Sequence, residues 1–218
     1  MAMLIRSSLR DAGGDGLPFL HAPWAQGLPL SRVDLLSLLP VTGINDWFDQ
    51  PAGPAPPGAV HGLLAADPFI HIPDIARSLL RAGITGVANF PSTQLMDGET
   101  VRALDASGCG PQREFEVMGQ LAALGLALTV VVSDMASLRT AARLPCLRIV
   151  IHPGLPLPEV AARSEAAARA AALIDAARQS CPDAAITLYH PPGFGHELTP
   201  AIAQADEVLC WAADHMPG

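Results

Sequence analysis

No lysine occurs in the chain: all 13 basic residues are arginine, against 21 acidic ones, for a formal charge of −8 over 218 residues. Without a lysine there is no internal Schiff base, no anchor for pyridoxal phosphate and no P-loop amine. Imine-forming aldolases, enzymes built on a lysine-bound pyridoxal and P-loop ATPases are therefore excluded. Charged residues make up only 16% while half the chain is apolar, which excludes a disordered polymer. An acidic balance with no basic run argues against nucleic acid as a partner. The four cysteines, Cys109, Cys146, Cys181 and Cys210, form no C-x-x-C pair. A zinc cluster or disulfide framework is not expected, and reduced thiols in a cytoplasmic protein are the simplest reading. Long apolar runs are missing too. The N-terminus reaches Asp11 and Gly13-Gly14 before any h-region develops, so no secretory signal is expected. The longest apolar stretch, Leu121 to Val132, is too short to span a bilayer and reads as a helix end, a turn at Gly125 and a buried strand. No membrane partner is expected.

What is present is a rhythm. From residue 59 a short apolar run ends in a polar residue and is followed by a helical segment, again and again. The runs are 59–65, 85–88, 128–132, 147–151, 185–189 and 207–211. Helices are expected near 72–81, 112–124, 135–143, 159–179 and 200–205. Apolar runs this continuous suit parallel strands covered on both faces and joined by crossovers. The expectation is a single α/β domain over 1–218, a (β/α)8 TIM barrel, with regular β/α repeats in 59–218. An open doubly wound sheet gives the same local signals, but no strand is followed by a glycine-rich dinucleotide turn. Residues 1–58 are less regular: 17–21 read as one strand, 31–39 as a short helix capped by Ser31, and 51–58 as a stiff proline-rich connector. A full barrel takes about 250 residues, so this one is expected to be incomplete or irregular at its N-terminal end.

Several stretches then resemble a known family. His61 to Phe69 is similar to a strand followed by a D-P-F motif, and Gly83 to Pro91 to G-x-x-G-V-x-N-F-P, with Leu95-Met96-Asp97-Gly98 as its downstream L-x-D-G. Gly108-Cys109-Gly110 with Arg113 to Met118 resembles a G-M-G…E-V-E-M-I segment, and Leu38-Leu39-Pro40 with Asn45 an L-L-P-x-G-N-A-N region. Over roughly residues 35–211 the chain resembles the TIM-barrel family called phosphoenolpyruvate-hydrolase-like, or TIM-barrel signal-transduction proteins. The resemblance implies a barrel distantly related to phosphoenolpyruvate- and pyruvate-binding barrels, with members that associate as oligomers. Four departures stand out. The family's A-H-M-G-x-T-T-G-G reads Ile151-His152-Pro153-Gly154-Leu155-Pro156-Leu157-Pro158 here, and its C-H-G-G-P reads Tyr189-His190-Pro191-Pro192-Gly193. Its closing G-A-S-S-x-E-R becomes Trp211-Ala212-Ala213-Asp214-His215, and its opening A-G-S-G turn has no clear counterpart. Prolines remove the N–H donors that would cradle an anion, so a phosphate site of the family's usual kind is not expected.

TIM-barrel sites form at the C-terminal strand ends. Asp67, Asn89, Ser133, His152, His190 and Asp214 all fall there. His152 and His190, at the ends of neighbouring strands six and seven, are the expected acid/base or metal-binding pair, with Asp67 to orient them or help hold a divalent ion. Asn89 and Ser133 are expected to contact substrate, with Tyr189 adding a hydroxyl. Each has a plainer reading: Asp67 as a turn cap, Asn89 as a loop tie, Ser133 as a helix cap. His61, inside a strand, reads as a core or barrel-interior residue, whereas His71, His196 and His215 read as surface or loop. Of Glu114 and Glu116, which cannot share a helical face, Glu116 is the expected site residue. Arg113 is the candidate for an anionic substrate, while Arg77, Arg81, Arg163 and Arg169 read as solvated helix faces. Asp97-Gly98 reads as a turn in a long loop.

These residues point to an enzyme of small-molecule metabolism, a hydrolase or lyase acting on a small carboxylate or keto acid. A divalent metal is compatible with them; no nucleotide or covalent cofactor is expected. The alternative is a non-catalytic ligand-binding or regulatory barrel, or a subunit of a larger complex. An incomplete barrel would expose sheet edges, so a homo-oligomer that covers them is expected.

Overall fold

The computed structural model describes residues 2–9, 18–26, 45, 55–96 and 98–212. Eight parallel strands close into a barrel in sequence order: β1 (Ala2–Arg6), β2 (Phe19–His21), β3 (Ala59–Gly62), β4 (Gly86–Ala88), β5 (Ala127–Val132), β6 (Cys146–Ile151), β7 (Ala185–Tyr189) and β8 (Glu207–Trp211). β1 pairs with β2 on one side and with β8 on the other, Ile5 opposite Leu20 and opposite Trp211. The expected N-terminal gap is therefore not there. Met3 and Ile5 alternate with Ala2, Leu4 and Arg6, which is the period of a strand, and their side chains fill the barrel. With the ring closed, the barrel has no open sheet edge for a second copy to cover.

Around the barrel lie α1 (Ile72–Arg81), α2 (Gly98–Ala106), α3 (Pro111–Ala123), α4 (Met135–Ala141), α5 (Val160–Ser180) and α6 (Thr199–Gln204), with 3-10 turns at Pro23–Ala25, Thr93–Leu95 and His196–Leu198. Their starts follow local chemistry. Proline opens α1 and α3, and Asp134 caps α4 in a reciprocal box with Ser137. α5 lays Ala166, Ala167, Ala170, Leu173, Ile174 and Ala177 on the barrel, the small residues allowing close approach. α2 lies in the segment expected to be loop. It buries no residue fully; Val101 and Leu104, one turn apart, are half-buried and leave only a short apolar stripe for sequence periodicity to detect.

Two buried layers follow from strand alternation. The interior layer includes Met3, Ile5, Leu20, Val60, Ala88, Val131, Val150, Tyr189, Leu209 and Trp211, and the barrel–helix layer includes Phe19, Ala59, Val87, Leu128, Val130, Ile149, Ile151, Ile186 and Leu188. At the N-terminal end of the barrel the interior turns polar. Glu207 accepts from Nε of Arg148 at 2.9 Å and from the Thr187 hydroxyl at 3.2 Å. This buried ion pair ties β6 to β8 and plugs the end of the barrel opposite the mouth. At the other end, Gly62 passes so close to the strand-four loop that a Cβ on it would lie 2.6 Å from the Phe90 carbonyl oxygen. Glycine is needed there by space alone.

Candidate functional site

At the C-terminal mouth, interior positions of neighbouring strands converge on an aromatic cluster. Tyr189 ends β7, Trp211 ends β8, Phe90 follows β4, His152 follows β6 and Trp24 sits in the turn after β2. Tyr189 stacks at a tilt on His152 with centroids 4.9 Å apart and meets Phe90 edge-on at 5.5 Å. Trp24 touches Phe90 at 5.7 Å and Trp211 at 6.2 Å. The Trp211 indole N–H donates to the Tyr189 hydroxyl at 2.9 Å. Such offset and edge-on pairs each add about 0.5–1.5 kcal/mol beyond burial, so the cluster is a rigid lining.

His152 is its polar member. Only 2% of the residue is exposed, and burial pushes its pKa down to about 3, so the ring is neutral. Nδ1 accepts from the Gly154 N–H at 3.1 Å, a turn that Gly154 makes at φ +100°. A neutral imidazole that accepts at Nδ1 carries its proton on Nε2. That Nε2 is buried with no hydrogen-bond partner, and so is Nε1 of Trp24. They are the two orphaned buried side-chain polar atoms among the described residues.

His190 does not join it. The residue after Tyr189, it is half-buried, and its backbone N–H extends the ladder to the Leu209 carbonyl at 2.8 Å. Strand alternation turns its side chain to the other face of the sheet from Tyr189. Among the described residues no hydrogen bond or ring contact links the two histidines.

The polar residues of strands four and five are spent on scaffolding. Asn89 accepts from the Val131 N–H at 2.7 Å and donates to the Val131 carbonyl at 3.2 Å, so its side chain prolongs the β4–β5 ladder beyond Ala88. Its amide also donates to Glu114 at 2.9 Å. Glu114 has no exposure and accepts in addition from the Ser92 hydroxyl at 2.8 Å, the Thr93 hydroxyl at 2.7 Å, the Thr93 N–H and the Gln94 amide. Ser133 bonds to both ends of Gln94 through its N–H and hydroxyl. Glu114, not Glu116, is thus the carboxylate that reaches inward. Glu116 is half-exposed, takes a hydrogen bond from Gln112 at 3.4 Å and lies 4.0 Å from Arg113. Both members of that pair sit on the outer side of α3, a correction to the roles expected for them.

Asp67 is also occupied. One oxygen accepts from the Phe69 N–H at 2.9 Å and the other from Asn45 at 2.8 Å, while Asn45 brackets both backbone groups of Leu64. It clamps the loop after β3. Asp214, Asp97, His215 and the helix expected at 31–39 lie outside the described residues. Arg163 is a further correction. It is no solvated side chain but ties two mouth loops together, reaching Glu197 at 2.8 Å and the carbonyls of Leu157 and Pro158. Hydrogen bonds from its own backbone N–H and from Arg163 bring Glu197 down to a pKa of about 2. Pro156 and Gly193 touch between the same loops, where a Cβ on Gly193 would meet Pro156 at 2.9 Å.

His61 is core, but in the barrel–helix layer. Its Nδ1 lies 3.1 Å from that of His21, its register partner on β2, and both residues are buried. Burial takes His21 down to about 4, and burial with the neighbouring His21 takes His61 well below the ordinary range. His71 is exposed and lies 2.7 Å from Asp74, and His196 is exposed as well. Among the described residues no three His, Cys, Asp or Glu are grouped to hold a metal ion. No described helix is long and apolar enough to cross a membrane.

A sequence model of proteins described as phosphoenolpyruvate hydrolase-like matches residues 56–191, more than half of the chain. The chain is 33% identical over 118 residues to the uncharacterized protein y4oT of Sinorhizobium fredii (strain NBRC 101917 / NGR234), covering 53% of this chain and 60% of that one. It is 28% identical over 130 residues to the ToMV resistance protein Tm-1(GCR237) of Solanum lycopersicum, covering 57% of this chain and 17% of the tomato protein. The chain thus spans less than two thirds of the curated relatives it matches. The solved structure of FabK from Thermotoga maritima aligns at TM-score 0.49 and 11% identity, over 98% of this chain and 58% of that one.

Proposed function

Because the chain belongs to the phosphoenolpyruvate hydrolase-like family, we propose that the mouth of its barrel is a small-molecule site and that the protein acts there as a hydrolase or lyase on a small carboxylate or keto acid. One observation carries this reading: a neutral, almost fully buried His152 presents an unpaired ring nitrogen from within a rigid aromatic lining at the strand ends where such barrels do their chemistry. Tyr189 holds the ring, and Asn89, Ser133 and Asp67 fix the loops around it rather than reaching for substrate. Turnover is expected with at least one member of a panel of small oxo-acids assayed with and without Mg²⁺, Mn²⁺ or Zn²⁺. No turnover together with no ligand-induced thermal shift would refute the reading.

A non-catalytic binding or regulatory barrel is the second reading. It is favoured by the strand-end residues Asp67, Asn89 and Ser133 being spent on hydrogen bonds within the scaffold. Saturable thermal shifts without turnover would select it. Association into a homo-oligomer is part of the proposal and now rests on exposed apolar side chains at the mouth end of the barrel, Phe69 (92% exposed) and Leu157 in loops and Val160 at the start of α5. The four free cysteines fit a reducing, cytoplasmic setting.

A further inference from the structure

The two orphaned atoms at the mouth are both hydrogen-bond donors, and that narrows the ligand. An indole nitrogen can only donate. His152 Nε2 must donate as well, because Nδ1 is already the acceptor for the Gly154 N–H. Both belong to one connected set of rings, Trp24 through Phe90 and Trp211 to Tyr189 and so to His152. A buried donor without an acceptor is costly, so two within one lining mark a place where acceptors bind.

Among the described residues, the charges that flank this lining are already committed. Arg148 is bound to Glu207 at the far end of the barrel, Arg163 to Glu197 and two carbonyls, and Arg113 faces Glu116 on the outside of α3. Prolines at 153, 156, 158, 191 and 192 withhold N–H donors from the two neighbouring loops, and the Gly154 N–H is spent on His152. A phosphate group needs cations or a nest of backbone donors. A carbonyl oxygen needs only one or two neutral N–H groups and a flat apolar wall.

We propose that this mouth holds its ligand by uncharged carbonyl oxygens of a small oxo compound, one donated to by Nε2–H of His152, with Nε1–H of Trp24 as a further donor in the same lining, and that it discriminates against phosphate groups. The proposal rests on the mouth being the ligand site and deepens that reading by naming the group recognised. His152 in this role is an electrophilic positioning group, not a base or a metal ligand, since its lone pair is turned toward Gly154.

The test is a titration of ¹⁵N-labelled protein with methyl pyruvate, pyruvate and inorganic phosphate, following the Trp24 indole N–H and the His152 ring nitrogens. The expected result is a His152 signal pattern of the Nε2–H tautomer and saturable shifts of both donors with methyl pyruvate. Pyruvate binds with the same pattern, and phosphate leaves both signals unmoved. His152→Phe, which keeps a ring against Tyr189, and Trp24→Phe, which keeps a ring against Phe90, are each expected to weaken methyl pyruvate binding about tenfold or more. An Nδ1–H tautomer would overturn the proposal, as would phosphate shifting both donors, no shift with any of the three probes, or unchanged binding in both variants. Oxo-acid turnover that survives both substitutions would leave the proposed activity standing and remove this inference alone.

Discussion

Replacing Glu114 with alanine is expected to cost about 3–5 kcal/mol, a large part of the roughly 5–15 kcal/mol that holds a domain together. The carboxylate sits at the centre of a buried network whose other members all donate to it: the amides of Asn89 and Gln94, the hydroxyls of Ser92 and Thr93, and the Thr93 N–H. Alanine leaves several of these donors buried without an acceptor at once, and each costs about 1–3 kcal/mol. Glu114→Gln keeps the volume but turns an N–H₂ toward a set of donors of which only the Ser92 and Thr93 hydroxyls can reverse and accept, so it is expected to recover less than half of the loss. The consequence reaches the mouth, because the network anchors residues 89–95 and Phe90 is both the next residue after Asn89 and a ring of the aromatic lining. Midpoints of chemical unfolding for the two variants check this. A loss below about 1 kcal/mol for Glu114→Ala would show that the network is not the tie described here.

Stability is expected to fall steeply as the solution is made mildly acidic, before carboxylate protonation contributes. His21, His61 and His152 are buried neutral, at pKa values of about 4, well below the ordinary range, and about 3 respectively, with burial as the leading cause each time. In the unfolded chain all three protonate near 6.5. Between that value and the folded pKa the unfolded state binds more protons, so stability rises with pH across the window and is complete above it. Acidification from about pH 6.5 to 4.5 should therefore remove on the order of 5 kcal/mol, at a limiting slope of about 1.4 kcal/mol per pH unit for each histidine. The carboxylates whose pKa is lowered, Glu197 (to about 2), Asp74 and Asp206, keep their contribution through this window and lose it further down. Unfolding curves at half-unit steps of pH measure the slope. His152→Phe should reduce it by about a third, and a flat profile down to pH 4.5 would contradict the burial of neutral imidazoles.

Much of the fold is legible in the residues themselves. Strands β7 and β8 and helix α1 lie where the apolar runs and the helical segment after them place them, because each carries a period bounded by turn residues. The elements that escape sequence reading have weak patterns. β1 carries only Met3 and Ile5 as its inward signal, and α2 buries nothing fully. At the mouth, position along the chain correctly brings Asn89, Ser133 and His152 to strand ends, but it does not show how their bonds are spent. Glu114 and Glu116 differ by two residues, which on a helix separates a buried hub from a solvated rim; the side facing the barrel follows from packing with Ser92 and Thr93, distant in sequence. Trp24, Phe90 and Trp211 lie far apart along the chain, and only barrel closure makes them neighbours. The same holds for Arg148 and Glu207, where two scattered charges become an interior ion pair.

The placement of the ligand is checked by a crystal structure of the protein grown with pyruvate. Ligand density is expected at the mouth, with an oxygen about 3 Å from Nε2 of His152 and the carbon skeleton against Tyr189, Phe90 or Trp24. Density bound instead at the Arg148 end of the barrel, or a mouth left unchanged at saturating pyruvate, would contradict it.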